Sequence, residues 1–320
     1  MMKRVTFDEI LQAREAIRPY VRKTPLEKSF FLGDNDHEFY FKLESLQRAR
    51  SFKIRGAVNK MLSLTQEERL RGVAAVSSGN HGSSVAYAAQ LLGIEKAVIV
   101  VPECTPRSKI EKIRYFGGEV LLMGRNYDEA HALGMAYIRE KGMTNIDSCH
   151  EDTLVYAGQG TVALEILEQE PGIDTIVVPI GGGGIATGVA LAAKTVNPDI
   201  RVYGVQTEAC PAMVASYLDG VCYEEYPIGP TLCDALVGGV GALSYEMLED
   251  LLDDILVVKE ETIRRAAAFL LTEEKFVIEA GSATTVAAVW DFPEKFTGKK
   301  TALILTGGNI DGETIRKVLA

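Results

Sequence analysis

Short apolar runs recur along the chain, and most are followed by a stretch with apolar residues at helical spacing. Residues 73–76, 97–101 and 120–123 read as strands, with helices at 82–92, 107–116 and 127–140. A second series puts strands at 175–180, 200–206, 255–258 and 301–305, with helices at 185–194, 261–272 and 282–290 among them. An earlier strand is expected at 38–44. Thr6 and Glu9 form a T-x-x-E capping box that starts a helix with Ile10, Leu11, Ala13 and Ile17 on one face. Apolar strands without strict alternation, each leading into a helix, predict an α/β fold of parallel sheets covered by helices.

Composition narrows this picture. With 320 residues, the chain is long enough for two α/β lobes with separate cores. A net charge of −10 argues against nucleic acid as a partner. The N-terminal stretch meets Asp8 and Glu9 at once and has no long apolar run. Neither a signal peptide nor a membrane span is expected. Cys104, Cys149, Cys210, Cys222 and Cys233 are scattered without a C-x-x-C pair, so a cytoplasmic protein without a disulfide framework or zinc site is expected.

Two strand–helix junctions carry candidate chemistry. Ser77-Ser78-Gly79-Asn80-His81-Gly82 follows one strand, and Gly181-Gly182-Gly183-Gly184 follows another. Such junctions aim backbone N–H groups and a helix dipole at an anion. Glycines without Cβ let the backbone wrap closely around a phosphate, although a mobile surface turn reads the same way. Lys53, in Ser51-Phe52-Lys53-Ile54-Arg55-Gly56-Ala57, falls in the first turn of an expected helix. The positive end of the dipole disfavours an ammonium there. A neutral amine near pH 7 needs its pKa lowered from about 10.4 by roughly three units, or about 4–5 kcal/mol. Imine formation with an aldehyde cofactor meets that need. A surface lysine is the plain alternative.

Together with Thr306-Gly307-Gly308-Asn309 and Gly158-Gln159-Gly160-Thr161, these motifs resemble the fold-type II pyridoxal-phosphate (PLP) enzymes. Within them the chain is most similar to the threonine/serine dehydratase and serine racemase group. The resemblance runs from about Thr24 to the end. It implies a two-lobed, tryptophan synthase beta-like architecture. Residues 1–47 and 144–320 would form a large cofactor-binding lobe and 48–143 a small inserted one.

The resemblance also implies roles. Lys53 would carry the cofactor and act as base at the substrate Cα. Phe52 would pack beside the cofactor, Gly181, Gly182, Gly183 and Gly184 would hold its phosphate, Asn80 its 3′ oxygen, and Thr306 its ring nitrogen. Ser77, Ser78, Gly79, Asn80 and His81 would form the substrate carboxylate site, with His81 read chiefly as a structural hydrogen-bonder. Ser78 matches the acid/base serine of the racemases, but Ser83-Ser84 departs from the Gln-Ala expected there. Glu208 and the Ala212 carbonyl match part of a divalent-cation site, whereas Val214 stands where a further acidic ligand is expected.

The implied activity is α,β-elimination of L-threonine and/or L-serine, or a related β-hydroxy amino acid, to the 2-oxo acid and ammonia, by a homodimer. A racemase with elimination as a side reaction is the alternative. A β-replacing synthase and a non-enzymatic nucleotide binder are more distant ones. Residues 232–241 depart most from common threonine dehydratases and are similar to dehydratases associated with ectoine breakdown. With the chain ending at Ala320, no regulatory domain and no isoleucine feedback are expected.

Overall fold

The computed structural model describes residues 2–34, 36–148, 150–298 and 300–320, apart from the side chain of Asp128. Cys149 lies outside the described residues. The strands are β1 (Leu26–Gly33), β2 (Glu38–Leu43), β3 (Val73–Val76), β4 (Ala97–Val101), β5 (Glu119–Leu122), β6 (Thr144–Asn145), β7 (Thr175–Pro179), β8 (Arg201–Thr207), β9 (Asp254–Val258) and β10 (Lys300–Leu305). They form a six-stranded sheet in the order β1-β2-β10-β7-β8-β9 and a four-stranded sheet in the order β5-β4-β3-β6.

All pairings are parallel except β1 with β2. Helices cover both faces of each sheet, so side chains on both faces of a strand are buried. Ile176, Val178, Ala302 and Ile304 join one core, while Val177, Leu303 and Leu305 join the other. In the smaller sheet Val73, Ala75, Ile99 and Val101 face one cluster, and Ala74, Val76, Val98 and Val100 the opposite one. This two-sided burial is why the strands read as continuous apolar runs.

The structure adds elements that the apolar pattern does not predict. β1 is an edge strand with Glu27, Lys28 and Phe30 exposed, so it lacks a clean apolar face. β6 is short, yet Thr144 N donates to Gly72 O and Ile146 N to Ala74 O. The four-stranded sheet therefore extends beyond the boundary expected at 143/144. The helix Thr153–Gln169 is buried over most of its length and carries Gly158 and Gly160 in its interior, which lowers its propensity. A Cβ on Gly158 would lie 2.6 Å from Arg55 O, and one on Gly160 2.8 Å from Gly188 O. The glycines thus let the helices Lys53–Leu62 and Gly184–Val196 approach Thr153–Gln169 at backbone distance.

Candidate active site

The helix Lys53–Leu62 begins at Lys53 itself, with Phe52 as N-cap and no side-chain cap. Its start is fastened to the loop after β10. Phe52 N donates to Thr306 O at 3.1 Å, and Ser51 bridges Gly307. Lys53 Nζ donates to Ser148 O at 3.1 Å and lies 5.4 Å from the Phe52 ring centroid. One turn of helix is then locked from beneath. The fully buried Arg55 guanidinium meets Glu44 and Glu165, and Lys42 meets Glu165 from the other side.

Both candidate anion loops end strands and open helices. Gly183 has φ +93°, and a Cβ there would lie 2.4 Å from Ser244 Cβ. The helix Gly184–Val196 has no side-chain cap, and its first backbone bond runs from Thr187 N to Gly183 O. The N–H groups of Gly184, Ile185 and Ala186 are therefore left without helical partners. The helix Asn80–Leu91 likewise has Gly79 as N-cap and no side-chain cap. Ser77 Oγ accepts from Gly79 N at 3.3 Å, and Ser77 and Ser78 are half-buried.

A chain of contacts joins the glycine loop to the start of the Lys53 helix. A Cβ on Gly181 would lie 3.3 Å from Leu236 Cα, and one on Gly281 3.1 Å from Leu236 Cγ. Next along the chain, Ser282 Oγ lies 3.2 Å from Thr306 Oγ1 and donates to Gly307 O. Residues 232–241 thus wall the glycine loop, and Ser282 orients Thr306.

Asn80 is held more elaborately than its motif suggests. Its Nδ2 donates to both carboxylate oxygens of Glu279 at 2.9 Å, and its Oδ1 accepts from Asn309 Nδ2 at 2.5 Å. Asn309 N also donates to Glu279 Oε1 at 3.0 Å. Burial pushes the Glu279 carboxyl above its usual range, against the pull of these donors. Lys112 reaches Asn309 Oδ1 from the small sheet's side. Asn309 closes a motif visible in the sequence, but nothing local marks Glu279 or Lys112: Glu279 precedes a helix as many acidic residues do.

His81 makes an internal contact through its ring. Its ring is buried, and Nε2 donates to Ile146 O at 2.7 Å. Burial, then the nearby Lys53 charge, lowers its pKa to about 4. Its side chain is therefore neutral at pH 7.

The two positions expected to hold a cation, Glu208 and Ala212, make other hydrogen bonds. Glu208 Oε1 accepts from Glu260 N at 2.9 Å, and Ala212 O from Ser216 Oγ at 2.7 Å. Among the described residues no group of three or more His, Cys, Asp or Glu is placed to hold a metal ion. Val214 adds no carboxylate there, and hard cations need several oxygen ligands.

The donor set fits PLP. There is a lysine amine for an aldehyde, an uncapped helix start behind a glycine cradle for a phosphate, and a hydroxyl at Thr306. A family model described as "Pyridoxal-phosphate dependent enzyme" matches residues 17–307. The chain is 42% identical over 317 residues to an L-threonine ammonia-lyase of Thermotoga maritima, covering 98% of this chain and 78% of that one. It is 37% identical over 318 residues to a catabolic L-threonine dehydratase of Escherichia coli, covering 98% and 96%. Among solved structures, maize serine racemase superposes with a TM-score of 0.90 at 34% identity, over 99% of this chain and 97% of that one.

Proposed function

The chain belongs to the pyridoxal-phosphate dependent enzymes, and from that premise we propose that it eliminates water from L-threonine and L-serine, after which the released enamine tautomerises to an imine whose hydrolysis by water gives ammonia and the 2-oxo acid. The observation that carries this reading is Lys53 opening a helix on the same stitched surface as two uncapped helix starts. The threonine ammonia-lyase and dehydratase relatives support the substrate.

In this reading the bound cofactor supplies an electron sink for negative charge at the substrate Cα. The free N–H groups of Gly184, Ile185 and Ala186 hold its phosphate, and one N–H of Asn80 its 3′ oxygen. Thr306 offers a neutral hydroxyl to the ring nitrogen, which cannot keep it protonated as a carboxylate would. Lys53 holds the cofactor and, once displaced, its Nζ takes the Cα proton. Backbone N–H groups of the 77–81 loop bind the substrate carboxylate, and the walls at Phe52 and 232–241 limit water.

A homodimer in the cytoplasm belongs to this reading. Phe30, 89% exposed on edge strand β1, is apolar surface that a second copy could cover. Among the described residues no helix is long and apolar enough to cross a membrane. Racemisation is the second reading, favoured by Ser78 in the loop between β3 and the helix Asn80–Leu91 and by the likeness to maize serine racemase.

The test is oxo-acid release. Purified protein with PLP should form 2-oxobutanoate from L-threonine and pyruvate from L-serine. Lys53→Ala should lose both while still binding the cofactor non-covalently. No oxo acid from either substrate would sink the reading.

A further inference from the structure

We propose that Lys112 and Asn309 are positioning residues that fix which face of the Asn80 amide meets the cofactor. The inference rests on the reading that Asn80 meets the cofactor's 3′ oxygen. A side-chain amide can point either way, and its two orientations offer a ligand opposite hydrogen-bonding faces. Here the neighbours decide. Lys112 is partly buried, and its ammonium, which can only donate, meets Asn309 Oδ1. That contact turns the Asn309 nitrogen the other way. Its Nδ2 donates to Asn80 Oδ1 at 2.5 Å and to Ala49 O, an acceptor only, at 3.0 Å. Asn80 Oδ1 is then committed, so Asn80 Nδ2 must point away as a donor. It does so toward Glu279, 2.9 Å from each oxygen.

Polarity therefore runs one way, from an ammonium through two amides to a buried carboxylate. Burial draws the Lys112 pKa down to about 8, so the donor-only form prevails at neutral pH. An acceptor oxygen on the cofactor needs a donor from Asn80. With the amide reversed, Oδ1 would face it and repel it.

The chain of contacts also crosses the molecule. Lys112 and Asn80 lie on helices of the four-stranded sheet, whereas Asn309 and Glu279 flank β10 and the helix Ala280–Asp291. Ala49 and Arg50, just before the Lys53 motif, have φ of 56° and 61°. Non-glycine residues rarely adopt that left-handed backbone. It brings Ala49 O onto Asn309 Nδ2 and Arg50 O onto Gly308 N. The orientation of Asn309 is thus fixed from both ends.

The test uses the full chain and PLP itself. Cofactor affinity and the absorption maximum of bound cofactor are measured for Lys112→Met, Lys112→Arg, Asn80→Ala and the double variant Lys112→Met/Asn80→Ala. Methionine keeps the bulk without a donor, and arginine remains donor-only. Lys112→Met should weaken cofactor binding about five- to tenfold and move the absorption maximum. Lys112→Arg should stay within about twofold of wild type, and Lys112→Met should add nothing once Asn80 is alanine. The melting temperature of cofactor-free Lys112→Met should match wild type.

Wild-type affinity and spectrum in Lys112→Met, an arginine variant no better than methionine, or additive losses in the double variant would each overturn the inference. So would lower cofactor-free stability with cofactor affinity unchanged, which would make Lys112 a packing residue. If Asn80→Ala alone leaves affinity and spectrum unchanged, the reading of Asn80 as a cofactor contact fails, and this inference fails with it.

Discussion

Arg55 Nη2 lies 2.7 Å from Glu44 Oε1, and neither side chain has exposed surface. Arg55 sits on the helix that Lys53 opens, and Glu44 immediately follows β2. The guanidinium also donates to Glu165 through Nη1 at 2.7 Å and Nη2 at 2.9 Å, while Lys42 donates to Glu165 at 2.7 Å. Two cations and two carboxylates balance in the buried cluster. Burial works against the Arg55 cation, but the Glu44 and Glu165 charges outweigh it and raise its pKa, while burial opposes and Arg55 holds down that of Glu165. The cluster anchors the start of the Lys53 helix against the six-stranded sheet.

Arg55→Met should therefore destabilise the protein by about 3–5 kcal/mol, because two buried carboxylates lose their shared partner. Arg55→Lys should recover little, since an ammonium cannot reproduce the fork that spans both carboxylates. Urea unfolding of the cofactor-free protein checks both. A loss under about 1 kcal/mol for Arg55→Met would mean that water or side-chain movement relieves the carboxylates.

Gly183→Ala probes the cradle. At φ +93° an alanine is strained, and its Cβ would lie 2.5 Å from Ser244 Oγ. Ser244 cannot easily yield, because its hydroxyl also meets Tyr156 and Thr187. A stability loss of about 2 kcal/mol is expected. Cofactor binding should weaken by more than tenfold, as the N–H groups of 184–186 are displaced. Titration with PLP, followed by absorbance, measures it. Unchanged affinity would place the phosphate elsewhere.

The candidate chemical residues are far more legible in the sequence than those that support them. Lys53, the 77–82 loop and Gly181–Gly184 announce themselves because glycine, small polar residues and a lysine at a helix start are unusual locally. Arg55 stood inside the same motif, but its partners Glu44 and Glu165 are distant in sequence, and no local pattern pairs them. Thr153–Gln169 was hidden for a related reason. Gly158 and Gly160 break its apparent helix propensity, and only the approach of Gly56 and Gly188 explains them. β1 is not legible in the sequence because an edge strand with exposed Phe30 lacks the two-sided burial that marks β7 and β10. At the Glu208 and Ala212 positions the sequence itself carries the departure, since Val214 supplies no acidic ligand beside them.

Ser78 separates elimination from racemisation. Moving a proton to the face opposite Lys53 needs a second acid/base group, and elimination does not. Ser78→Ala should abolish any D-serine formed from L-serine yet keep at least about a third of pyruvate release, since truncating one hydroxyl removes about one hydrogen bond. Chiral chromatography and oxo-acid assay of the same reaction report both. Racemisation at wild-type rate in the variant would exclude Ser78 as that group.

His81 sets a window of acid sensitivity. Its pKa is lowered from 6.5 to about 4 in the folded chain, by burial first and the Lys53 charge second. Above pH 6.5 both folded and unfolded chains carry it neutral, and its contribution to stability is fully present. Between 6.5 and about 4 the unfolded chain takes up a proton that the folded chain refuses, so stability falls as pH falls. The slope is about 1.4 kcal/mol per pH unit, and the total about 3 kcal/mol. Glu165 and Asp147 are also held low, but their ordinary values are 4.5 and 3.8, so their losses begin further down. His81→Gln can still donate to Ile146 O and has no proton to gain. Its unfolding free energy should be flatter than wild type between pH 6.5 and 4.5, measured by urea denaturation without cofactor. Lys53→Ala should raise the His81 pKa, read by NMR, because it removes the second cause of the shift. An identical slope in wild type and His81→Gln would show that His81 titrates normally and that the ring is not held neutral against Ile146.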